Sequence, residues 1–377
     1  MYGTVNVTVA KPENINKVLS DILYNNSNSI VLSNNEDLNT ILTPGKYILH
    51  GNGFINKPKL CVDEVGILIV ETYSLDGITY YKQSIISTGY IFLREISIEN
   101  GVSNISKWKY NGTEETNLAI DVSNTSVGDE IVIPHSLYGN IPFIVIGKNH
   151  DADNSVTLLS KEIIRLLAFD AKEASNTNAD RKSYGNNRYK YSNLLQWMNS
   201  DKAAGEWYTA QHSADAAPDT AASVGNYNPY SNVDGFLKGF DASVVNQMIT
   251  VDKTTALNTI TDGGGSEVVS SKVFLLSTTE VGLGNENNIA EGKIYEYFSN
   301  NVDSQRLAYP SEYCLNNAGG YTNSGFASGK PWYWWLRTPS SSYSYITRTV
   351  GTSGALNSNG VYGGGNGLRA ALSLKTT

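Results

Sequence analysis

The spacing of hydrophobic positions changes twice along this chain. In the first thirty residues, apolar side chains recur every three or four positions and predict a helix over residues 12–24. A short strand is predicted before it, over residues 5–9. The stretch that follows the helix is rich in Asn and polar throughout. We therefore expect residues 1–30 to be an attachment segment and not an independent core.

Between residues 31 and 112 the hydrophobic runs have the length of strands. Residues 67–71, 84–87 and 90–95 each predict a strand. Asp76-Gly77, placed between two such runs, is typical of a two-residue hairpin turn. This pattern predicts a small antiparallel β domain over residues 31–112. The polar, turn-rich residues 111–117 are the candidate linker.

Residues 118–377 mix the two periods and predict a domain of strands and helices, so the fold class of the chain is α+β. Four apolar runs predict strands, at residues 130–133, 142–147, 156–160 and 273–276. Helical spacing predicts helices at residues 192–199 and 241–249. The spacing from Ser277 to Glu280 is that of a capping box and predicts a third helix. Residues 202–235 are predicted to be an elaborated surface loop.

Composition changes this picture in one respect. Only 17% of the residues are charged, and the chain has 24 Tyr against 9 Phe. Tyr combines an apolar ring with a polar tip, which suits surfaces that bind a partner. The alternative is that a β-rich protein places these rings in its strands. Both interpretations stay open at this point.

Charge and hydropathy exclude several classes of protein. The net charge of −8 argues against a nucleic-acid surface, which needs a basic stripe. The sequence has no run of 18 apolar residues, so we expect no membrane-spanning helix. The first ten residues lack the features of a signal peptide, and we expect synthesis in the cytoplasm. Cys61 and Cys314 form no disulfide framework or metal motif and are expected to be buried thiols.

The search for catalytic chemistry is mostly negative. His50, His135, His150 and His212 are scattered without metal-ligand spacing, and the sequence has no Gly-x-Ser-x-Gly elbow. Residues 150–153, His-Asp-Ala-Asp, predict an exposed acidic turn in preference to a cation site. We predict no catalytic, cofactor or metal residue. A carboxylate pair for glycan cleavage stays open, because separation in space is not visible in a sequence.

The most distinctive motif lies in the last fifty residues. Trp-Trp-Leu-Arg-Thr-Pro at residues 334–339 is followed by a Ser/Tyr-rich loop, Gly-turned hairpins and Gly-Leu-Arg-Ala-Ala-Leu-Ser-Leu at residues 367–374. This order resembles a domain family of Gram-positive bacteria and their phages, which typically shows Trp-Leu-Arg-Ser-Pro and a later Gly-Val-Arg-Pro-Ala-Leu. Thr338, Leu368 and Ala370 depart mildly from it. The resemblance implies a C-type-lectin-like fold over residues 118–377, similar to formylglycine-generating enzymes and phage tropism proteins.

Two departures limit what this resemblance implies. The Glu-Pro-Asn and Trp-Asn-Asp motifs that mark calcium-dependent sugar binding do not occur in the sequence. Formylglycine-generating chemistry needs paired reactive cysteines, and Cys314 stands alone in residues 118–377. We therefore expect no bound cofactor or metal and no enzyme activity. The expected partner is a bacterial cell-surface protein or glycan that is bound directly.

A second resemblance lies in the middle domain. Residues 36–47 contain Asp-Leu-Asn-Thr-Ile and Pro-Gly-Lys-Tyr, a strand follows at residues 66–70, and Trp108 lies near the end. This order resembles the knob domain of phage and pyocin tail fibres. Together the two resemblances imply a receptor-binding protein at the tip of a phage or a phage-tail-like bacteriocin. Such a protein would join other tail or baseplate proteins through its N-terminus, form a homotrimer and leave the cell with the particle by lysis.

The candidate receptor contacts lie on turns and alternating strands near the C-terminus. Stiff Tyr rings, Arg and Asn suit such contacts, and the residues are Tyr343, Tyr345, Arg348, Asn357, Asn359, Tyr362 and Asn366. Trp332 and Tyr333 are also candidates, undecided between rim and core. Residues 334–336 are expected in the core, and Arg337 and Arg369 are expected to pair with buried carboxylates or carbonyls. Plain solvent exposure of the loop residues, a glycan-cleaving depolymerase and a structural baseplate or fibre component are the alternatives.

Overall fold

The computed structural model describes residues 30–32, 36–50, 54, 57, 65–75, 77–87, 90–99, 102–106, 108–110, 113–114, 120–223 and 229–376. The chain forms two compact units, Met1–Leu118 and Ala119–Thr377. The predicted strand at residues 5–9, the helix at residues 12–24, Cys61 and most of the linker lie outside the described residues. Within the described ranges, no helix has the length and apolar character needed to cross a membrane. The three-part division at residues 1–30, 31–112 and 118–377 stays a prediction.

The described residues of the first unit form one β-sheet. Its strands are β1 (Ile30–Leu32), β2 (Gly45–His50), β3 (Val65–Leu75), β4 (Ile78–Ser87), β5 (Tyr90–Glu99), β6 (Val102–Ile105), β7 (Lys109–Tyr110) and β8 (Thr113–Glu114). They lie in the order β1-β2-β3-β4-β5-β7-β8, with β6 also paired to β5. Leu75 pairs with Ile78, which confirms the predicted two-residue hairpin at Asp76-Gly77.

One pair in this sheet corrects the prediction of a wholly antiparallel domain. β1 and β2 run parallel, with Val31 opposite Ile48. Parallel neighbours need a crossover of about a dozen residues, and residues 33–44 supply that length. The core of the unit contains Leu38, Leu68 and Phe92. The buried Gln83 amide donates to the Leu38 carbonyl at 2.8 Å, so the crossover is tied to β4.

The second unit is also rich in strands. They are β9 (Glu130–His135), β10 (Gly139–Lys148), β11 (Ser155–Ser160), β12 (Val251–Ala256), β13 (Ser266–Ser271), β14 (Val273–Phe274), β15 (Trp334–Pro339), β16 (Ile346–Val350), β17 (Leu356–Gly360) and β18 (Ala371–Lys375). One sheet has the order β14-β18-β11-β10-β9, a second pairs β12 with β13, and a third has the order β15-β16-β17. The predicted strand at residues 273–276 is shorter than expected, because residues 275–276 leave the sheet.

The helices of the second unit are short. Among the described residues they are α1 (Ala179–Tyr184), α2 (Asn193–Met198), α3 (Ala242–Gln247), α4 (Asp303–Arg306) and α5 (Glu312–Asn316), with 3-10 turns at Tyr189–Tyr191, Phe236–Gly239 and Glu296–Phe298. The predicted α2 and α3 are confirmed. Ser192 and Asp241 cap them, each accepting a hydrogen bond from a backbone N–H of the first turn. With many strands and few short helices, the chain has a β-rich α+β fold.

The C-terminal motif lies in the interior, as predicted for residues 334–336. Trp334, Trp335 and Leu336 are fully buried. The final strand, β18, is internal in its sheet, between β11 and β14. The residue just before that segment contacts the tryptophans, since the Gly367 carbonyl accepts from the Trp335 N–H at 3.0 Å. A side chain at Gly367 would lie 2.4 Å from Ile163, so only glycine permits this close approach.

Candidate functional site

Four tyrosines form a half-exposed patch on the second unit. The Tyr184 ring lies 4.7 Å from that of Tyr345 and 5.2 Å from that of Tyr362. Tyr343 joins through Tyr345, with ring centroids 5.9 Å apart. Tyr343 is 48% exposed and Tyr184 is 36% exposed. We call these four residues the tyrosine patch. Three of them were predicted as contact residues, and Tyr184 was not.

The loop that carries Tyr343 and Tyr345 is held from beneath by one buried amide. The side-chain nitrogen of Asn187 donates to the carbonyl of Tyr343 at 2.7 Å and to that of Ile346 at 2.8 Å. It also approaches the Ser340 carbonyl at 3.3 Å. The Asn187 backbone N–H donates to the Ser344 carbonyl at 3.1 Å. The loop backbone is therefore fixed at several points, while the Tyr343 ring is exposed and the Tyr345 ring is half-buried.

A second layer of polar contacts fixes Asn187 itself. Asn258 donates to the Asn187 side-chain oxygen at 2.8 Å and to Asp262 at 2.6 Å. Asp262 also pairs with Arg181 at 2.7 Å, and Arg181 donates to the Ser344 carbonyl at 3.3 Å. Supporting contacts of this kind preorganise a binding surface, so that less side-chain and loop entropy is lost on binding.

Two glycines place the remaining rings of the tyrosine patch. Gly185 ends α1 at φ 83°, directly after Tyr184, and a side chain there would lie 2.8 Å from the Ala171 carbonyl. A side chain at Gly360 would lie 2.7 Å from the Tyr362 ring. Gly185 is therefore required for its backbone conformation, and a side chain at Gly360 would displace the Tyr362 ring.

The Arg348 guanidinium makes its hydrogen bonds to other residues of the protein. Its guanidinium binds both carboxylate oxygens of Glu286, at 2.8 and 2.9 Å, and donates to the Ser358 hydroxyl at 2.6 Å. Burial acts to raise the pKa of Glu286, and its bonds to Arg348 and Ser341 outweigh burial and lower it. Arg348 thus ties β16 and β17 to residue 286. Most of its donors are already occupied by the protein.

The other predicted contact residues separate into two groups. Asn357 and Asn359 are exposed on β17, and Tyr333 is half-buried. Asn366 is buried, with 2% exposed, which corrects its place among surface candidates, and Trp332, undecided between rim and core, is in the core with 5% exposed. Trp332 is drawn inwards because its ring packs against Tyr321, Phe326 and Tyr333, while its N–H donates to the Gly365 carbonyl at 2.8 Å.

The turn predicted at residues 150–153 is exposed at Asp153, whereas the Asp151 side chain is buried, which corrects the prediction for Asp151. Asp151 accepts a hydrogen bond from Lys253 at 2.5 Å, and both side chains are buried. Lys253 reaches Glu280 at 3.1 Å, and Glu280 accepts from Arg337 at 2.5 Å. Burial acts to raise the pKa of Glu280, while the positive charges of Arg337 and Lys253 outweigh burial and lower it. This buried network confirms the predicted pairing of Arg337 with a carboxylate.

Arg369 and Cys314 are both buried in the second unit. Arg369 donates to the Ser160 carbonyl at 2.8 Å and lies over the Trp334 ring, as expected for a guanidinium paired with a carbonyl. Cys314 is a buried free thiol, and burial raises its pKa to about 12. Among the described residues, no group of three His, Cys, Asp or Glu side chains is arranged to hold a metal ion.

The family model described as "Domain of unknown function (DUF6273)" matches residues 154–376, which is more than half of the chain. The chain belongs to the DUF6273 family. The match contains the whole tyrosine patch and the buried Trp-Trp-Leu-Arg-Thr-Pro strand, so the patch is a surface of the DUF6273 domain.

Comparisons with curated proteins and with solved structures assign no further family to the chain. No curated protein matches the chain. Among solved structures, the tail fibre of Staphylococcus aureus phage P68 is similar at 13% identity and a TM-score of 0.20, over 37% of this chain and 34% of the fibre chain. The chain thus matches about a third of the length of that fibre. A likeness of this size carries no argument about the DUF6273 domain.

Sequence reasoning missed Tyr184 and Asn187 as parts of this surface. Both lie near the end of α1, more than 150 positions before the loop that they support. The available local signal was Tyr184-Gly185, an aromatic residue before a helix-ending glycine. That signal places Tyr184 at a helix end, but it does not identify the residues that pack against it.

Proposed function

We propose that the chain is a receptor-binding protein at the tip of a phage or phage-tail-like particle, and that its tyrosine patch binds a bacterial surface protein or glycan. The observation that supports it is the patch itself: four neighbouring tyrosine rings, two of them on a loop whose backbone is fixed by Asn187. Rigid aromatic anchors with a polar tip give large contact areas at low entropic cost.

The finer assignment of the two units belongs to the same proposal. The first unit acts as a fibre-type knob, and the second unit is a C-type-lectin-like scaffold. The tail-fibre-like order of residues 36–47 and the motif at residues 334–339 support this assignment. Several copies on one particle multiply the binding, since linked sites raise the effective concentration of each other.

Cell binding tests the proposal directly. The purified full chain, carrying a fluorescent label, is added to a panel of Gram-positive cells and bound fluorescence is measured by flow cytometry. The variant Tyr184→Ala/Tyr343→Ala/Tyr345→Ala should lose binding, because buried aromatic anchors typically contribute about 2 kcal/mol or more each. The matched control is Tyr309→Ala, since Tyr309 is 40% exposed and lies outside the patch.

The outcomes separate binding from folding. A triple variant that melts like the wild type and no longer binds cells supports the proposal. Unchanged cell binding by a folded triple variant would place the receptor site elsewhere. Wild-type protein that binds no cell in the panel, or that releases sugar from purified cell walls, would contradict it. Release of sugar would favour a depolymerase.

Assembly is a separate part of the proposal. A tail-tip protein attaches through its N-terminal segment and is commonly a homotrimer, so we expect residues 1–30 to join the chain to other tail or baseplate proteins. Light scattering of the full chain at micromolar concentration should give the mass of three copies. A monomer at that concentration contradicts the trimer but leaves the cell-binding test unaffected.

A further inference from the structure

The second unit contains a cleft of about 420 Å³ away from the tyrosine patch. It is lined by residues 136–137, by residues 232–234, by Tyr313 on α5 and by Arg165. Small-molecule sites have volumes of about 300–1,000 Å³ and combine an apolar wall with a few polar groups. Leu137, Val233 and the Tyr313 ring supply the apolar surface here. The volume is suited to one or two sugar units.

Arg165 is the unusual member of this lining. Its residue is 8% exposed, and its Nε has no hydrogen-bond partner. Among the described residues, no carboxylate forms an ion pair with its guanidinium. Two other buried arginines of the same unit pair with a carboxylate, Arg181 with Asp262 and Arg337 with Glu280, while Arg369 donates to the Ser160 carbonyl. A buried cation without an anion costs free energy, and Arg165 differs from Arg369 because it lines a cleft that a ligand can enter.

A second polar group beside Arg165 also has unused capacity. The buried Tyr138 hydroxyl lies within reach of the Arg165 guanidinium but finds no acceptor for its own proton, and the Tyr138 ring meets the Tyr313 ring edge-on at 4.8 Å. Burial raises the pKa of Tyr138 to about 12, and the positive charge of Arg165 acts in the opposite direction. The hydroxyl therefore keeps its proton at neutral pH. Two neighbouring donors with unused capacity call for an acceptor group.

The lining of the cleft also contains acceptors. Asp234 accepts from the Ala204 N–H at 2.7 Å and pairs with Lys238 at 3.1 Å, yet its side chain is still 45% exposed. The amide of Asn232 lies beside it in the lining. A simple anion has no hydrogen to donate to the Asp234 carboxylate or to the Asn232 amide oxygen, whereas a ligand hydroxyl donates to both. The ligand chemistry indicated is an oxyanion at one end and hydroxyls at the other.

We propose that this cleft binds a sugar unit that carries an oxyanion, with the Arg165 guanidinium holding the carboxylate or phosphate and Asp234 and Asn232 receiving the sugar hydroxyls. Guanidinium is suited to this task because its forked donors match both oxyanions. The Tyr313 ring provides the apolar face against which a sugar ring packs. The cleft shares no residue with the tyrosine patch and does not rest on the proposed function.

Three sugars distinguish the possible sources of the oxyanion. D-glucuronate carries a carboxylate, glucose 6-phosphate carries a phosphate and glucose carries neither. Binding of each to the unlabelled full chain is measured by saturation-transfer NMR. We expect saturable binding of glucuronate or of glucose 6-phosphate, with Kd on the order of 1 mM, and no binding of glucose. Equal binding of glucose, or binding of no sugar at concentrations on the order of 10 mM, overturns the proposal.

Variants locate the site. Arg165→Gln should weaken binding of the anionic sugar roughly tenfold or more, since hydrogen bonds to charged groups are strong. Lys182→Gln is the control: it removes the same charge from an exposed position of α1 and should bind as the wild type does. If Arg165→Gln does not fold, Leu137→Trp decides, because Leu137 is 41% exposed and its replacement fills the cleft without touching the core. Unchanged binding by a folded Arg165→Gln or by Leu137→Trp overturns the proposal.

Discussion

The side-chain nitrogen of Asn187 donates to the Tyr343 carbonyl at 2.7 Å across 156 positions of sequence. The same nitrogen bonds the Ile346 carbonyl at 2.8 Å. Asn187 is fully buried, and its bonds to these two carbonyls are shielded from water in part. One amide therefore satisfies a loop backbone that would otherwise lose hydrogen bonds on folding.

Replacing Asn187 should destabilise the second unit. Asn187→Ala removes the donor from buried carbonyls, and an unsatisfied buried polar group costs about 1–3 kcal/mol. We expect the free energy of unfolding to fall by about 2 kcal/mol or more, as measured by urea denaturation. The control is Asn317→Ala, since Asn317 is exposed and donates to one carbonyl of its own helix, that of Tyr313. Equal losses in the two variants would contradict the assigned role of Asn187.

Only part of the candidate site could be predicted from the local sequence. Tyr343, Tyr345 and Tyr362 were accessible to prediction because a Ser/Tyr-rich loop between turned strands implies a surface. Arg348 was predicted as a receptor contact, and its bond to Glu286, 62 positions away, was not predicted. The support from Asn187 and Arg181 was not predicted. Contacts between distant segments depend on the assembled fold and leave no spacing pattern in either segment.

Glu280 should be far more sensitive than a surface acid. It lies between Arg337 and Lys253, and Glu280→Gln leaves the buried Arg337 without its carboxylate and Lys253 with Asp151 alone. Breaking a buried pair in this way costs about 3–5 kcal/mol. Glu130→Gln is the matched control, because Glu130 pairs with Lys161 at the exposed surface and such pairs contribute about 0–1 kcal/mol. Chemical denaturation of both variants measures the difference, and similar losses would refute the structural role of the network.

The segment around Glu280 also explains a failed prediction of fold. The capping-box bonds form, since the Ser277 N–H donates to Glu280 at 3.0 Å and the Glu280 N–H to the Ser277 hydroxyl at 3.1 Å. No helix follows, because Gly282 adopts φ 76° and Leu283 bonds back to the Thr278 carbonyl, which closes the turn. At α2 and α3, by contrast, an apolar face continued beyond the cap and the predicted helices formed.

Removal of the last strand should prevent folding. β18 lies between β11 and β14, and Leu372 and Leu374 are fully buried. A chain without residues 371–377 exposes the edges of both neighbours and leaves a large gap in the core, so we expect no soluble protein. A chain without residues 376–377 keeps the strand and serves as the control. Soluble, cooperatively melting protein from the longer deletion would contradict the central position of β18.

His135 is held in a single neutral form by its surroundings. Its Nδ1 accepts from the Leu137 N–H at 3.1 Å, so Nε2 carries the proton and donates to the Phe236 carbonyl at 3.0 Å. The ring packs against Phe236 and Phe240, and a side chain at Gly239 would lie 1.9 Å from it. Burial lowers the pKa of His135 to about 4, while the bond to Phe236 acts in the opposite direction.

This depressed pKa predicts an acid-dependent loss of stability. The unfolded chain binds the proton at pH 6.5 and the folded chain only near pH 4, so the contribution is fully present above pH 6.5 and is lost as the pH falls through that window. The loss is about 3 kcal/mol, at about 1.4 kcal/mol for each unit of pKa. His135→Asn keeps an acceptor for the Leu137 N–H and cannot titrate. Urea denaturation at pH 7 and at pH 4.5 should therefore show a smaller acid loss in this variant than in the wild type. Equal acid losses in the two proteins would assign the pH dependence to the carboxylates.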